Sequence, residues 1–345
     1  MNNPLFTNDL EPVVLFNPAQ QFNRLKIITA YTDCDRIATH LIGLYDGIDE
    51  EIYQKDLSIE IIVGMIHSGK AGINPKKHDE ICKLINRLNS SKGMPKVSCH
   101  YIITGKQVHS KVYIWHNKKE KLAFCGSANY TTFAFKKRRE CMTECNPNLA
   151  LRYYKELKKD TINCFDENIK NVLKKTKQIE EVQPFEPEEI LLDYEHYNQL
   201  IPQDTINISL LVAKGDRTGY GSGVNWGIRK DGTKRNTNQA YIPYNDQDKK
   251  AGFFPDRINS TDKHCPIFKV ITKDFGSFHM RLAQGKKGKN KALHTAESNA
   301  ILGEWIRRKL KAEDGEFITK EMLENYGKTF VTFRKYDDGV YLLDF

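Results

Sequence analysis

The sequence predicts two domains of different fold class, an α/β domain followed by a mostly β domain. Three observations support this prediction. Strand and helix patterns alternate over the first 145 residues, an acidic segment with two prolines follows, and short strands between polar, glycine-rich loops fill the rest of the 345-residue chain. We therefore expect an α/β domain at 1–177, a linker at 178–200 and a mostly β domain at 201–345.

The first domain is predicted to contain a largely parallel sheet flanked by helices, because strands separated by helices of this length form βαβ units. Apolar, β-rich runs predict strands at 25–31, 57–66, 97–104, 111–115, 122–125 and 140–145. Apolar residues at helical spacing predict helices at 35–44 and 76–88, and a third helix is predicted to begin near Asn146.

The predicted linker is acidic. Its residues 178–195 contain Pro184 and Pro187 among six glutamates and one aspartate. Proline interrupts regular structure and a run of like charges stays solvated, so this segment is expected to separate the two domains.

The second domain is predicted to be a small barrel with two helices. Strands are expected at 206–212, 240–244, 268–272 and 277–282, and a closing hairpin at 330–343 with its turn at 337–339. One helix is expected at 297–310, capped by Thr295 or a neighbour, and a shorter one at 320–326 that ends at Gly327.

The composition is that of a globular, basic protein. Hydrophobic residues make up 39% of the chain and the formal net charge is +9, which excludes a disordered, collagen-like or membrane-embedded chain and favours a polyanionic partner. No apolar run approaches the ~20 residues of a membrane helix, and Met1 to Leu10 lacks a secretory pattern. The eight cysteines show no zinc-ligand spacing, so we expect free thiols in the cytoplasm.

The residues that carry chemistry lie in the segment 109–130. His109 and Lys111 are two apart on a predicted strand and therefore share one face. The next strand ends in Gly126-Ser127-Ala128-Asn129, where small residues allow close approach of an anion and the asparagine can donate hydrogen bonds to it. A second H-x-K, at His116, lies in a predicted turn and is expected by chance.

This pattern resembles the active-site motif of the phospholipase D superfamily, H-x-K followed by G-S-x-N, and most of all its nuclease branch. The broader motif has an aspartate five residues after the lysine, where this sequence has His116; the departure argues against a phospholipid hydrolase. In restriction endonucleases of the superfamily a glutamate follows the asparagine by about a dozen residues, and Glu140 fits that position.

The residue types suit phosphodiester hydrolysis. Lys111 and Asn129 can neutralise the non-bridging oxygens, Ser127 can help to place them, and a neutral His109 can attack phosphorus. The resemblance implies that two copies of the motif build one site. Because the chain has one convincing copy, we expect a homodimer with a single shared site, in which one His109 is the nucleophile and the other the general acid. No metal is required by this scheme.

Two loops of the second domain are predicted to contact DNA, because arginine, asparagine and glutamine read base edges and lysines suit phosphates. The first loop, 215–226, contributes Arg217, Tyr220, Ser222, Asn225 and Trp226. The second contributes Arg281, Gln284, Lys286, Lys287 and Lys289.

The placement of these loops resembles the two arms of the B3-like recognition domain, a seven-stranded pseudobarrel. In addition, KALHTAESNAILGEWIRRKL at 291–310 and the final YLLDF resemble the C-terminal parts of restriction endonucleases of the NgoFVII type. The order of a nuclease domain before a B3-like domain is also that of this family.

These resemblances imply the endonuclease subunit of a bacterial restriction system that cuts double-stranded DNA at a specific sequence, with a short GC-rich site as the expectation. A cognate DNA methyltransferase is implied as a partner. The chain has no G-x-x-x-x-G-K-S/T motif, so any use of ATP and Mg²⁺ is expected to come through a separate helicase-like ATPase subunit.

Two alternatives remain at this stage. One is a phospholipase-D-type phospholipid hydrolase, and the other is a DNA-binding regulator with a vestigial nuclease domain. The single motif and basic second domain argue against the first alternative. The intact His109, Lys111 and Asn129 argue against the second.

Overall fold

The chain folds into two compact units, Met1–Ile190 and Leu191–Phe345. The computed structural model describes residues 4–6, 10–67, 72–103, 107–175, 194–212, 217–229, 235–244, 246, 249–337 and 339–345. Most of the predicted linker, 178–193, lies outside these residues. Its described end, 194–200, includes a short helix of the second unit.

The first unit contains an eight-stranded sheet. Its strands are β1 (Leu5–Phe6), β2 (Arg24–Thr29), β3 (Ser58–Val63), β4 (Lys96–Ile102), β5 (Lys111–His116), β6 (Lys121–Gly126), β7 (Cys141–Glu144) and β8 (Thr161–Asn163). They lie in the order β1-β7-β6-β5-β2-β3-β4-β8. The α/β class is therefore confirmed.

The prediction of a largely parallel sheet was wrong in detail. Among the described strands only β2–β3 and β3–β4 pair in parallel, and the other five pairings of this sheet are antiparallel. The reason is connection length: a parallel crossover needs about a dozen residues or more. The segments that join β4 to β5 and β5 to β6 are shorter than that.

Helices cover both faces of this sheet. They are α1 (Cys34–Asp49), α2 (Pro75–Ser90), α3 (Thr132–Lys136), α4 (Pro147–Lys158) and α5 (Ile169–Lys175). The α1 helix begins where the side chain of Asp33 accepts a hydrogen bond from the backbone nitrogen of Arg36, as an N-cap does. Ala150 and Tyr154 of α4 pack on the face of the sheet that carries Ile28 and Ile114.

The second unit contains a seven-stranded sheet that nearly closes. Its strands are β9 (Asp204–Ser209), β10 (Ile242–Pro243), β11 (Phe268–Thr272), β12 (Gly276–Ala283), β13 (Ala292–Thr295), β14 (Phe330–Lys335) and β15 (Val340–Asp344). They lie in the order β10-β13-β12-β11-β15-β14-β9, and the end strands β9 and β10 contact each other. The predicted barrel is therefore confirmed.

Three α-helices and a short 3₁₀ helix (Gly223–Asn225) complete the described part of the second unit. The α-helices are α6 (Tyr194–Asn198), α7 (Ala300–Leu310) and α8 (Lys320–Tyr326). The α7 helix begins three residues later than predicted, and Thr295 does not cap it, because Thr295 ends β13 and its hydroxyl donates to the carbonyl of Ser298. The α8 helix ends at Gly327 in the left-handed conformation, as predicted.

No helix within the described ranges is both long and apolar enough to cross a membrane.

Candidate active site and DNA-binding surface

The predicted catalytic residues lie at one edge of the first sheet. Because β5 runs antiparallel to both β2 and β6, the start of β5 lies beside the ends of its two neighbours. Lys111, the first residue of β5, lies opposite Gly126, the last residue of β6. His109 lies two residues before Lys111, and Ser127 and Asn129 are the first and third residues after β6.

His109 and Lys111 are in direct contact. The Lys111 ammonium lies 2.8 Å from Nδ1 and 3.3 Å from Nε2 of the His109 ring, and it donates a hydrogen bond to the His109 carbonyl at 2.8 Å. Lys111 is only 7% exposed, whereas His109 is exposed. The ammonium is therefore fixed at the base of the site and the imidazole is open to a substrate.

Ser127 and Glu140 are joined to the strand β7. The Ser127 hydroxyl donates to the Glu140 carboxylate and accepts from the backbone nitrogen of Cys141 at 3.0 Å. Gly126 permits this approach, since a Cβ there would lie 2.2 Å from the Cys141 carbonyl oxygen. The structure thus brings the predicted glutamate into contact with the G-S-x-N segment.

Asn129 is buried and anchored by residues that the sequence prediction missed. Its Oδ1 accepts from the Tyr31 backbone nitrogen at 3.4 Å and lies 3.4 Å from the Thr29 hydroxyl, whose one proton is donated to the Tyr31 carbonyl at 2.8 Å. Thr29 also accepts from the backbone nitrogen of Tyr130 at 2.9 Å, and the Tyr31 ring lies 6.1 Å, edge to face, from that of His109. No motif marks Thr29 or Tyr31; only their position at the end of β2 indicates this role.

The second H-x-K lies away from this site. His116 is the last residue of β5, at the opposite end of the strand from Lys111, and it pairs with Arg24 and Lys121. The interpretation of this match as accidental agrees with its position.

In the second unit, the two predicted DNA-contact loops meet at His294. The Trp226 ring of the first loop lies 5.0 Å from the His294 ring. The Gln284 amide of the second loop lies 3.1 Å from Nε2 of His294, and Arg281 pairs with His294 across β12 and β13. The sequence prediction named Trp226, Arg281 and Gln284, but it missed His294, which belongs to neither loop.

Asn225 requires a correction, because the structure does not expose it to DNA. Its side chain is 0% exposed, its amide nitrogen donates to the Ile318 carbonyl at 2.8 Å, and its Oδ1 accepts from the Ile318 backbone nitrogen at 2.9 Å. A polar side chain that is buried and bonded in this way holds two chain segments together. Asn225 is a structural residue.

Three other predicted contacts of the first loop are at or near the surface. Arg217 is exposed and Ser222 is half-buried. Tyr220 is half-exposed and its ring lies 4.3 Å from that of Phe317. Residues 213–216 lie outside the described ranges.

The lysines of the second loop differ in their surroundings. Lys286 and Lys289 are exposed. The Lys287 ammonium donates to the carbonyl of Ile258 at 2.6 Å, and the Gly288 backbone nitrogen donates to Asp256 at 2.6 Å. The loop is therefore tied to the 256–258 segment.

The two units match two domains of one protein family. Residues 8–171 match the family described as NgoFVII restriction endonuclease N-terminal PLD (phospholipase D) domain. Residues 200–337 match the NgoFVII C-terminal B3-like DNA-binding domain. The resemblance of the first domain to phospholipase D nucleases and the resemblance of the second to the B3-like domain are therefore confirmed.

Several solved structures are similar to the chain. They include NucT from Helicobacter pylori, with 16% identity over 47% of this chain and 98% of that chain and a TM-score of 0.32. Nuc from Salmonella typhimurium, a phospholipase D family member, is 15% identical over 47% of this chain and 97% of that chain, with a TM-score of 0.33. The phosphatidylserine synthase of Haemophilus influenzae Rd KW20 is 17% identical over 51% of this chain and 44% of that chain, with a TM-score of 0.33. A comparison with curated proteins found no match.

Proposed function

Because the chain belongs to the NgoFVII-type restriction endonucleases, which are site-specific nucleases of the phospholipase D superfamily, we propose that it hydrolyses double-stranded DNA through a phosphohistidine at His109. The observation that carries this proposal is the contact between His109 and the buried Lys111 at the edge shared with Asn129. The reaction has two steps, transfer of the phosphoryl group to histidine and then to water.

In the first step a lone pair of the His109 imidazole forms a nitrogen–phosphorus bond while the bond from phosphorus to the leaving oxygen breaks. The nucleophile has to be neutral. Before a phosphate binds, the Lys111 ammonium, 2.8 Å from Nδ1, favours the neutral imidazole because two cations at that distance repel each other. When the ammonium pairs with a bound phosphate this repulsion falls, so an imidazole beside it can also carry the proton of a general acid. The same ammonium offsets the charge of the phosphate oxygens.

Asn129 and Ser127 position the phosphate. The Asn129 carbonyl oxygen accepts from the Tyr31 backbone nitrogen, so its amide nitrogen is the group that donates to a non-bridging oxygen. Ser127 is held by Glu140 and the backbone of Cys141, which fixes the turn that presents both residues.

A second imidazole is needed to protonate the leaving oxygen, and we propose that a second copy of this chain supplies it. Two His109 side chains then face each other across a two-fold axis, one as nucleophile and one as general acid. In the second step water attacks the phosphorus, the second imidazole, now neutral, takes the proton of that water, and the nitrogen–phosphorus bond breaks to restore the free imidazole. The scheme assigns every charge-neutralising role to protein groups, so we propose that this chain requires no metal.

The first test is cleavage of plasmid and phage DNA in EDTA by the full-length protein, by His109→Ala and by His196→Ala. His196 is exposed on α6 in the second unit and serves as the matched control. We expect discrete fragments from the wild type and the control and none from His109→Ala. Cleavage that survives in His109→Ala would overturn the mechanism. Fragments that appear only with ATP, Mg²⁺ and cell extract would overturn metal-independent cleavage by this chain alone and support an ATPase partner.

The shared site has its own test. Wild-type and His109→Ala chains are refolded together in varied proportions and the cleavage rate is measured. If one site needs two His109 side chains, the rate falls with the square of the wild-type fraction. A linear fall would show that each chain acts alone.

A further inference from the structure

Three side chains form a row across the outer face of the second sheet. Arg281 of β12 lies directly opposite His294 of β13, and Ile242 of β10 lies opposite Leu293. The residue before β10, Tyr241, continues the same register, and its ring stacks on His294 at 5.6 Å with an interplanar angle of 23°. Leu293 is fully buried and His294 is not, so the row faces away from the core.

Trp226 completes this cluster from the first loop. Its ring lies 5.0 Å from His294 and 5.7 Å, edge to face, from Tyr241. The Arg235 guanidinium lies 5.0 Å over the Trp226 ring. We call Trp226, Tyr241 and His294 the aromatic platform. Each of its members is partly exposed, and arginines lie at both of its ends.

Gln284 is fixed beside the platform in an uncommon conformation. Its φ of +59° is left-handed, a region that residues other than glycine seldom adopt and that is found at binding sites. Gly285 follows, and a Cβ there would lie 2.1 Å from the Lys289 carbonyl oxygen. The tight loop therefore directs an exposed glutamine toward His294, and its amide nitrogen comes within 3.1 Å of Nε2.

The direction of this hydrogen bond follows from the state of the imidazole. Burial lowers the pKa of His294 to about 4, and the charge of Arg281 adds to the effect. Because an amide nitrogen only donates, the neutral ring carries its proton on Nδ1 and its Nε2 accepts one N–H of Gln284. The other N–H and the carbonyl oxygen of Gln284 remain as an adjacent donor and acceptor, which is the pattern that reads a base edge in the major groove.

We propose that His294 is a positioning residue for sequence recognition, which orients the Gln284 amide so that it reads one base pair of the target. The inference rests on the proposed site-specific action on duplex DNA and adds residues outside the two loops to it. Tyr241 and Trp226 act through His294, because their rings fix the plane of the imidazole.

The test uses full-length protein with His109→Ala, so that binding is measured without cleavage. Duplexes with a randomised segment are selected by this parent and by the same protein with His294→Phe, His294→Gln or Gln284→Ala. Phenylalanine keeps the ring contacts and removes the hydrogen bond, whereas glutamine keeps an acceptor. His196→Phe and Gln199→Ala, on the exposed surface around α6, are the matched controls.

We expect His294→Phe and Gln284→Ala to lose preference at the same base pair by about tenfold, within the range for one bidentate contact. His294→Gln regains part of that preference. The double variant loses no more than either single one, because both remove the same contact. Preferences at other positions, affinity for unrelated DNA and the salt dependence stay unchanged.

Three outcomes would overturn the inference. If the parent selects a sequence and His294→Phe selects the same one with equal preference at every position, His294 does not position Gln284. A uniform loss at all positions and on unrelated DNA would reduce His294 to a structural role. If the parent selects no sequence at all, the proposed site-specific binding fails together with this inference.

Discussion

The nuclease site and the aromatic platform differ in how the chain assembles them. The nuclease residues come from the start of β5 and the end of β6, two adjacent strands joined by a short turn, and Glu140 follows closely. The platform takes Trp226 from the first loop, Tyr241 from the position before β10 and His294 from β13, and Gln284 beside it comes from the loop after β12. A site assembled from adjacent strands appears as a motif, whereas a site assembled across distant strands does not.

The two regions also bury their charged groups for different purposes. Lys111 is buried beside the exposed His109, which fits a group that neutralises a phosphate. Arg281 is 8% exposed beside a neutral His294, and both lie next to a glutamine that is open to solvent. The comparison predicts that variants of the first region change the rate of cleavage, while variants of the second change the choice of sequence.

The largest difference between the effect on the cleavage rate and the effect on site affinity is expected from Asn129→Asp. The new carboxylate keeps the acceptor held by the Tyr31 backbone nitrogen but replaces a donor with a negative charge facing the phosphate. We expect the cleavage rate to fall by about 10²–10³ with unchanged site affinity. Single-turnover cleavage and binding are measured in parallel. Asn148→Asp, on the exposed surface of α4, is the control, and an equal loss in that variant would refute the assignment.

Asn225→Ala tests the structural role of Asn225 in the first loop. Removal of a buried amide that bonds both backbone groups of Ile318 leaves those groups unsatisfied. The free energy of unfolding of the second unit is expected to fall by about 2–3 kcal/mol. Denaturant unfolding measures this value. The base preference of the folded variant should match the wild type, and an altered preference at one base pair would restore Asn225 as a contact.

Arg281→Ala is expected to weaken or relax recognition by about 1–3 kcal/mol if the side chain contacts a base. Affinities for the selected sequence and for its single-base variants give the measurement, and unfolding gives the control. A loss of stability with no change in affinity would show that Arg281 only supports His294.

The smallest effect is expected from pH. Because the pKa of His294 is lowered to about 4, folding disfavours its protonation, so its contribution to stability is complete above the usual value of 6.5 and is lost as the pH falls through about 4. Site affinity of His109→Ala should therefore change less than about twofold between pH 8 and 5.5. Wild-type cleavage should instead follow a bell-shaped profile, since one imidazole must be neutral and the other protonated. A transition in site affinity near pH 6.5 that is absent in His294→Phe would contradict the neutral platform.

The sequence alone determined the α/β and barrel classes, the family, and the catalytic candidates His109, Lys111, Ser127, Asn129 and Glu140. These were accessible because strand periodicity places residues two apart on one face, and because small residues and amides at a strand end suit an anion. The same local reasoning gave most strand positions, since each depends on a short apolar run.

Only the tertiary structure decided the strand directions, the anchoring of Asn129 by Thr29 and Tyr31, the burial of Asn225, and the meeting of Trp226 and Gln284 at His294. Each of these depends on which distant segments pair and in what register. Register is set by the packing of a whole sheet rather than by the residues of one strand. From the sequence alone, a polar loop residue such as Asn225 is predicted to contact DNA. Only the segment that folding brings next to it determines whether its side chain faces solvent or the interior.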